Sequence, residues 1–374
     1  MITERLMAAG SWDVPLLPDA PRSLLSDLTY FGFLSITAGW LPAGSVSDIT
    51  QLAIYTGVYT GRSRRGTQLS GYGLAYMLGA QGGFSDLYES ELDYGPKDFD
   101  DFINENVLRN TGPQLNGIVQ GSIGNPGSNK TLTIEAGASP LDVLNQISDL
   151  WDIDWRINPD RTLDAYSTVY STTPVAVVTP WWSGRDLGII GWSGTLDTSD
   201  DVESFTTRYI AEADGAASFT VGTANIGTNP FTMPDGDALE RDQYGHSKLA
   251  KTSGDADTVA ARRLGRFDQI RRQITATVDT YAVRAELEPG GWVYVYDPDL
   301  GLSDTTAEVY FRGHCLHPLA VRCHAIRWPV QQGMGVYLTC SDSAHTVIDL
   351  TPWVDWEQAE ATLELGAPWR TLNV

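Results

Sequence analysis

The side chains with the greatest potential for chemistry are histidines and cysteines near the end of the sequence. They are His314, Cys315, His317, Cys323 and His324, with Cys340 and His345 behind them. Zinc is bound tetrahedrally by Cys and His ligands, but no CxxC pair is present and the spacing matches no zinc signature. Buried thiols and paired strand histidines are the commoner outcome. We therefore predict no metal site, and whether this group binds a metal stays open.

Acidic residues are numerous, yet none stands out as catalytic. Asp235, Asp237 and Glu240 offer the oxygen ligands that calcium prefers, but not at EF-hand spacing, so we interpret them as a solvated turn. A glycosidase needs two carboxylates facing each other across a cleft, and with 47 acids the sequence nominates no pair. Nucleophile-elbow, metalloprotease, P-loop and dinucleotide motifs are absent. The sequence predicts no catalytic residue and no cofactor.

Arginine and tryptophan supply the remaining candidates, for contacts rather than catalysis. The segment 57–66 carries Arg62, Arg64 and Arg65. It does not open a helix after a strand, so we interpret it as a strand end and an exposed turn able to contact a neighbouring subunit. The tryptophans expected at the surface, where flat rings bind sugars or fill interfaces, are Trp181, Trp182, Trp353 and Trp356. Those expected in the core are Trp151, Trp155, Trp292 and Trp328.

Composition excludes several classes of protein. The chain has 374 residues, 42% of them hydrophobic and 19% charged, which is globular rather than disordered usage. The net charge of −22 argues against specific DNA binding and against docking to anionic lipid. Three cysteines are too few for a disulfide framework. The most apolar early stretch, 28–41, is too short and interrupted to span a membrane, and the first residues lack the features of a signal peptide.

The elements that must position these residues are mostly strands, because hydrophobic and polar side chains alternate with period two. The predicted strands are 54–60, 131–135, 204–213, 274–278, 292–296, 308–311, 321–328 and 334–339. Three helices are predicted. One follows Ser139 and Pro140, an N-cap and first-turn pair; the others span 255–272 and 97–108. Residues 151–166 read as strand, tight turn and strand, 173–194 as a crossover, and 215–253 as a long polar loop.

The order of these elements resembles that of a known family. The segment SPLDVLNQISDLWDIDWRINPDRTLDAY precedes the crossover, and the Arg-rich AARRLGRFDQIRRQITATV is followed by the hairpin ELEPGGWVYVYDP. This succession resembles the tail-tip or baseplate hub (minor tail) proteins of long-tailed bacteriophages over roughly residues 50 to 345. Gly291 departs from the acidic residue that is usual in that hairpin.

The resemblance implies a mainly β fold with α/β insertions, two tube-like β-barrel domains and short helices. We expect an N-terminal barrel half over 1–172 with an α/β insertion at about 71–165, and a crossover linker over 173–196. A C-terminal tube-like barrel over 197–348 is expected to carry the loop 215–253 and the helix 255–272. A docking tail is expected over 349–374.

The function that the resemblance implies is structural. The chain is expected to form a homotrimeric ring that connects the tail tube to the central fibre or spike and lets DNA pass. The expected partners are the distal tail protein, the tape-measure protein and the fibre, within a virion assembled in the host cytoplasm. Acidic side chains lining the lumen would repel DNA, although acidity also serves solubility alone. The alternatives are a tail-associated cell-wall hydrolase or glycosidase, and a receptor- or sugar-binding adhesin.

Overall fold

The structure is a computed structural model. It describes residues 2–5, 7–15, 28–40, 50–62, 68–79, 88, 91–108, 117–124, 126–127, 129–167, 174, 177–179, 189–202, 204–213, 220–278, 288–311, 314–328 and 336–342. Arg64, Arg65, Trp181, Trp182, His345 and the expected docking tail lie outside these residues. No helix in the described segments is long and apolar enough to cross a membrane.

Strands dominate the described residues. They are β1 Ile2–Arg5, β2 Ser11–Pro15, β3 Phe33–Trp40, β4 Thr50–Arg62, β5 Gln68–Gly73, β6 Leu92–Lys97, β7 Val119–Ile123, β8 Lys130–Ile134, β9 Ile153–Ile157, β10 Thr162–Ser167, β11 Val177–Thr179, β12 Ile189–Asp201, β13 Arg208–Ala213, β14 Val221–Asn225, β15 Asp242–Ser247, β16 Arg271–Val278, β17 Trp292–Val295, β18 Val309–Phe311, β19 His314–Leu316, β20 Leu319–Trp328 and β21 Val336–Ser341. Every strand predicted from the alternation has a counterpart here.

Helices are short. They are α1 Phe99–Phe102, which continues as a π-helical turn over Ile103–Val107, α2 Pro140–Trp151 and α3 Ser253–Gly265, with 3-10 turns at Leu74–Leu78 and Pro298–Leu300. The prediction of a mainly β fold with short helices is confirmed.

Helix α2 begins where the sequence predicts. The Ser139 side chain accepts a hydrogen bond from the Asp142 amide, and the Asp142 carboxylate accepts one from the Ser139 amide, both at 3.1 Å. This reciprocal capping box satisfies two backbone donors that have no partner within the helix. Val143, Leu144 and Ile147 form the buried stripe of α2. The helix ends at Trp151, and the next residue, Asp152, adopts a left-handed conformation with φ of 56°.

Six strands of the largest sheet form a closed ring. The hydrogen-bonded order is β17–β11–β12–β16–β21–β20, and β20 pairs again with β17. Closure leaves these strands without a free edge. Val293, Val321 and Val336 are fully buried in the core that the ring contributes to.

Strand β20 also joins this ring to strands from the other end of the chain. Its first residues, Leu319 to Arg322, pair with β17, while Ala325 to Trp328 pair with β1. From β1 the sheet continues through β2, β5, β4 and β3. Trp12 of β2 and Tyr55 of β4 are buried in the same core as the ring residues. The first and last described strands are therefore parts of one sheet.

A second core lies among the insertions. Helix α2 packs on β9 of a three-stranded sheet, β7–β10–β9, and α3 packs on β13 and β14 of another, β14–β13–β15. The two helices contact each other. Trp155 and Ile147 from the first unit and Val259 and Ala260 from the second are buried in one cluster. Segments more than 100 residues apart thus bury their apolar faces together.

Three sequence predictions differ from the structure. The segment predicted as a crossover over 173–194 contains β11 and the start of β12, both strands of the ring. The helix predicted over 255–272 ends at Gly265, and Arg271 already belongs to β16. Phe267 instead lies in a turn, where its carbonyl accepts a hydrogen bond from the Thr206 amide at 2.7 Å. The loop predicted over 215–253 contains β14 and β15. These strands are polar because they are largely exposed, and they pair with the two edges of β13.

Gly222 of β14 lies where α3 approaches the strand closely. A Cβ added there would lie 2.1 Å from the Asp257 amide nitrogen and 2.2 Å from the Ala256 carbonyl carbon. Because both are helix backbone atoms, Gly222→Ala is expected to displace α3 and to lower the free energy of unfolding by about 1–3 kcal/mol. Urea denaturation of the two proteins measures this difference.

Gly227, in the turn after β14, provides the control. A Cβ added at Gly227 meets no atom within 4 Å, so Gly227→Ala should leave the urea midpoint nearly unchanged. Equal stability of the two variants would show that α3 does not pack on Gly222 as described.

Candidate functional site

The structure separates most of the histidine and cysteine group. Cys323 and Cys340 are opposite each other on β20 and β21 and are both buried. His324 is buried as well, with Nε2 2.6 Å from Ser341 Oγ. These three residues fill the interior of the sheet and offer no open ligand position.

Cys315 and His317, by contrast, come together with Glu308, which the sequence analysis did not include. One ligand atom from each of the three residues lies within 4.8 Å of the others. Cys315 Sγ is 3.9 Å from His317 Nε2. The signal available in the sequence was the short hairpin β18–β19, because a hairpin brings a residue that precedes one strand next to a residue that follows the other.

The other candidates lie at the surface or in the core. Asp235 accepts a hydrogen bond from the Asp237 amide at 3.2 Å within an exposed turn, and Arg62 is exposed at the end of β4. Trp151, Trp155 and Trp328 are buried, and Trp292 is half-buried.

A network of buried arginines and aspartates joins the insertions to the closed ring. At its centre is Asp154 of β9, which is 1% exposed. Its Oδ1 accepts a hydrogen bond from Arg262 Nη2 of α3 at 3.1 Å. Its Oδ2 lies 2.7 Å from Nη2 of Arg322, a fully buried residue of β20. One carboxylate therefore contacts both the insertion helix and a strand of the ring.

The guanidinium groups of this network are further held by backbone carbonyls. Arg262 donates to Ser148 O at 2.6 Å and to Ile153 O at 2.9 Å. Arg322 Nε donates to Gly290 O, in the turn before β17, at 3.2 Å. Buried charges are tolerated when they are paired and hydrogen-bonded in this way.

Asp149 of α2 carries the second half of the network. Its carboxylate accepts hydrogen bonds from Arg266 Nη2 at 2.7 Å and from Arg263 Nη2 at 3.2 Å, and Arg262 Nε lies 3.5 Å away. Burial alone would raise the pKa of Asp149, but Arg266, Arg263 and Arg262 outweigh it and lower the pKa. Asp149 therefore remains ionised and holds the end of α3 against α2.

The arrangement of this network is suited to a structural role rather than to catalysis. Its carboxylates already contact arginines in the interior, so neither has a free position for a substrate. The network fixes the orientation of α3, α2 and β20 relative to one another.

Comparison with known proteins links this fold to phage tails. No family model and no curated protein matches the sequence. The tail protein from Neisseria meningitidis MC58 is similar in structure, with a TM-score of 0.55 and 17% identity over 91% of this chain and 90% of that chain. The 43 kDa tail protein of prophage MuSo2 from Shewanella oneidensis gives a TM-score of 0.54 and 10% identity over 92% and 94%. The chain thus has the fold of these phage-type tail proteins.

Proposed function

We propose that the chain is a structural subunit of a phage tail tip, a baseplate hub or minor tail protein. In this role it forms a ring that connects the tail tube to the central fibre or spike and lets DNA pass. The observation that carries the proposal is the shared fold, which covers about nine-tenths of both this chain and the Neisseria meningitidis tail protein. A match that covers 91% of one chain and 90% of the other concerns the architecture as a whole rather than one common module.

The free end of the large sheet supports assembly with further copies. Strand β3 is the last strand in the sheet order, and its outer edge has no partner strand among the described residues. Three aromatic side chains at or just before the start of β3 are exposed: Tyr30 to 56%, Phe31 to 43% and Phe33 to 42%. An open edge beside exposed aromatic side chains is suited to contact with another subunit.

The proposed assembly is a homotrimer within the virion, made in the host cytoplasm. Its partners would be the distal tail protein, the tape-measure protein and the central fibre. The net charge of −22 per chain supports passage of DNA without binding, because acidic side chains repel phosphate. No enzymatic activity belongs to this proposal.

Mass measurement of the purified protein tests the ring. We expect a species of three 40.8 kDa chains at micromolar and higher concentrations. Phe33→Glu should shift this species toward monomer, since it places a charge at the proposed contact. Met233→Glu, which changes an exposed residue in the turn between β14 and β15, is the control, and this variant should remain trimeric.

A monomer at all concentrations would overturn the ring. Two further assays separate the alternatives. Turnover of peptidoglycan by the purified protein would favour the hydrolase, and binding of the isolated protein to host cells would favour the adhesin. The structural proposal expects neither.

A further inference from the structure

We propose that Glu308, Cys315 and His317 bind a Zn²⁺ ion through one carboxylate oxygen, one thiolate sulfur and one imidazole nitrogen. This site is independent of the tail role proposed above. The three residues belong to the segment around the hairpin β18–β19, between β17 and β20. One ligand atom of each lies within 4.8 Å of the other two.

The register of the hairpin explains why the three side chains converge. Val309 is opposite Leu316 and Tyr310 is opposite Cys315. Extending this register by one residue sets Glu308 opposite His317. Cys315 and His317 are two residues apart, so they share a face of the hairpin, and cross-strand partners share a face as well. The backbone therefore presents all three ligands on one side.

The spacing is close to that of a zinc site. Zinc bonds of about 2.0–2.3 Å in a tetrahedron place the ligand atoms about 3.5 Å apart. Cys315 Sγ and His317 Nε2 are 3.9 Å apart. Movement of a few tenths of an ångström brings these two atoms to the spacing of zinc ligands. The carboxylate of Glu308, whose oxygen lies within 4.8 Å of both, reaches the ion by rotation of its exposed side chain. Cys315 and Glu308 are exposed and His317 is half-buried, so a metal ion can reach them.

The hydrogen bonding of His317 prepares its other nitrogen for a metal. Its Nδ1 lies 3.0 Å from Ala307 O. A carbonyl oxygen only accepts, so this hydrogen bond requires the proton on Nδ1, and in that neutral tautomer Nε2 presents a lone pair on the side of Cys315. Metal-binding histidines commonly donate their second N–H to a carbonyl in this way. The Asp304 amide donates to His317 O at 2.8 Å and so fixes the backbone at this position.

The donor set favours zinc over calcium or magnesium, which take oxygen ligands. A thiolate and a carboxylate together neutralise the two positive charges of Zn²⁺, while the imidazole binds neutral. Three protein ligands leave one tetrahedral position for water or for a side chain of another molecule. The ion would link the two strands of the hairpin at the end opposite its turn, where Glu308 faces His317.

Cobalt and zinc titration of the full chain tests the site. We expect one Co²⁺ per chain with a thiolate-to-cobalt charge-transfer absorption that added Zn²⁺ removes. Cys315→Ser should abolish this absorption. His317→Ala and Glu308→Gln should each weaken Zn²⁺ binding at least about tenfold, because even the loss of an outer hydrogen-bond partner costs about 10–100-fold.

His246→Ala is the matched control. His246 Nδ1 lies 3.2 Å from a carboxylate oxygen of Glu212 on an exposed strand, but no cysteine accompanies the pair. This variant should bind Zn²⁺ as the parent does. Absence of the charge-transfer absorption, its persistence in Cys315→Ser, or unchanged Zn²⁺ affinity in His317→Ala would overturn the proposal.

Discussion

Asp154→Ala is expected to lower the free energy of unfolding by about 3–5 kcal/mol, the usual cost of removing one partner from a buried ion pair. Asp154 is 1% exposed and contacts Arg262 and Arg322, which are also buried. Alanine leaves both guanidinium groups in the interior without this carboxylate. The variant also lacks the contact that links the insertion helix to the ring, because the two arginines come from α3 and β20.

Urea denaturation of purified Asp154→Ala measures this effect, with Asp242→Ala as the control. Asp242 forms an ion pair with Arg208, but both side chains are exposed, so its removal should change the urea midpoint little. If Asp154→Ala proved no less stable than Asp242→Ala, the buried network would not be joining the two parts of the molecule.

Trp155→Ala is expected to lower the free energy of unfolding by about 3–5 kcal/mol, because it leaves a cavity in the insertion core. Trp155 is 1% exposed and belongs to the cluster shared by the two insertion units. Its indole Nε1 donates to Asn145 Oδ1 at 3.1 Å. Truncation removes both the ring and this hydrogen bond, and thermal or urea unfolding measures the loss.

Two companion variants separate these contributions. Trp155→Phe keeps most of the buried area but loses the hydrogen bond, so it should cost clearly less than Trp155→Ala. Asn145→Ala removes only the hydrogen-bond acceptor, so its free energy of unfolding should be close to that of Trp155→Phe. A Trp155→Ala protein as stable as Trp155→Phe would show that the indole does not fill the core as described.

Local signals in the sequence predicted most elements of the fold. Ser139 and Pro140 marked the start of α2, since capping depends on neighbouring residues alone. Alternation marked strands such as β8 and β16 because one face of each is buried. The end of α3 was misplaced because Phe267 and Ile270 continue the apolar spacing of the helix, although Gly265 is its last residue.

Features that depend on distant contacts were harder to predict. Glycines in 215–253 indicated a loop, whereas Gly222 is where α3 packs closely on β14. Arg322, a charge between two apolar residues of β20, was the available sign of a buried partner, but nothing local identifies that partner as Asp154. Glu308 joins Cys315 and His317 only through hairpin register, so spacing along the chain could not reveal the cluster.

The double pairing of β20 has a consequence for biosynthesis. Residues 2–5 of β1 are translated more than 300 residues before their partners on β20, Ala325 to Trp328. Until β20 is translated, the edge of β1 that pairs with it therefore lacks its native partner strand. Such distant pairing slows folding and favours association of incomplete chains. The sheet that contains β1 is accordingly completed only after β20 has been synthesised.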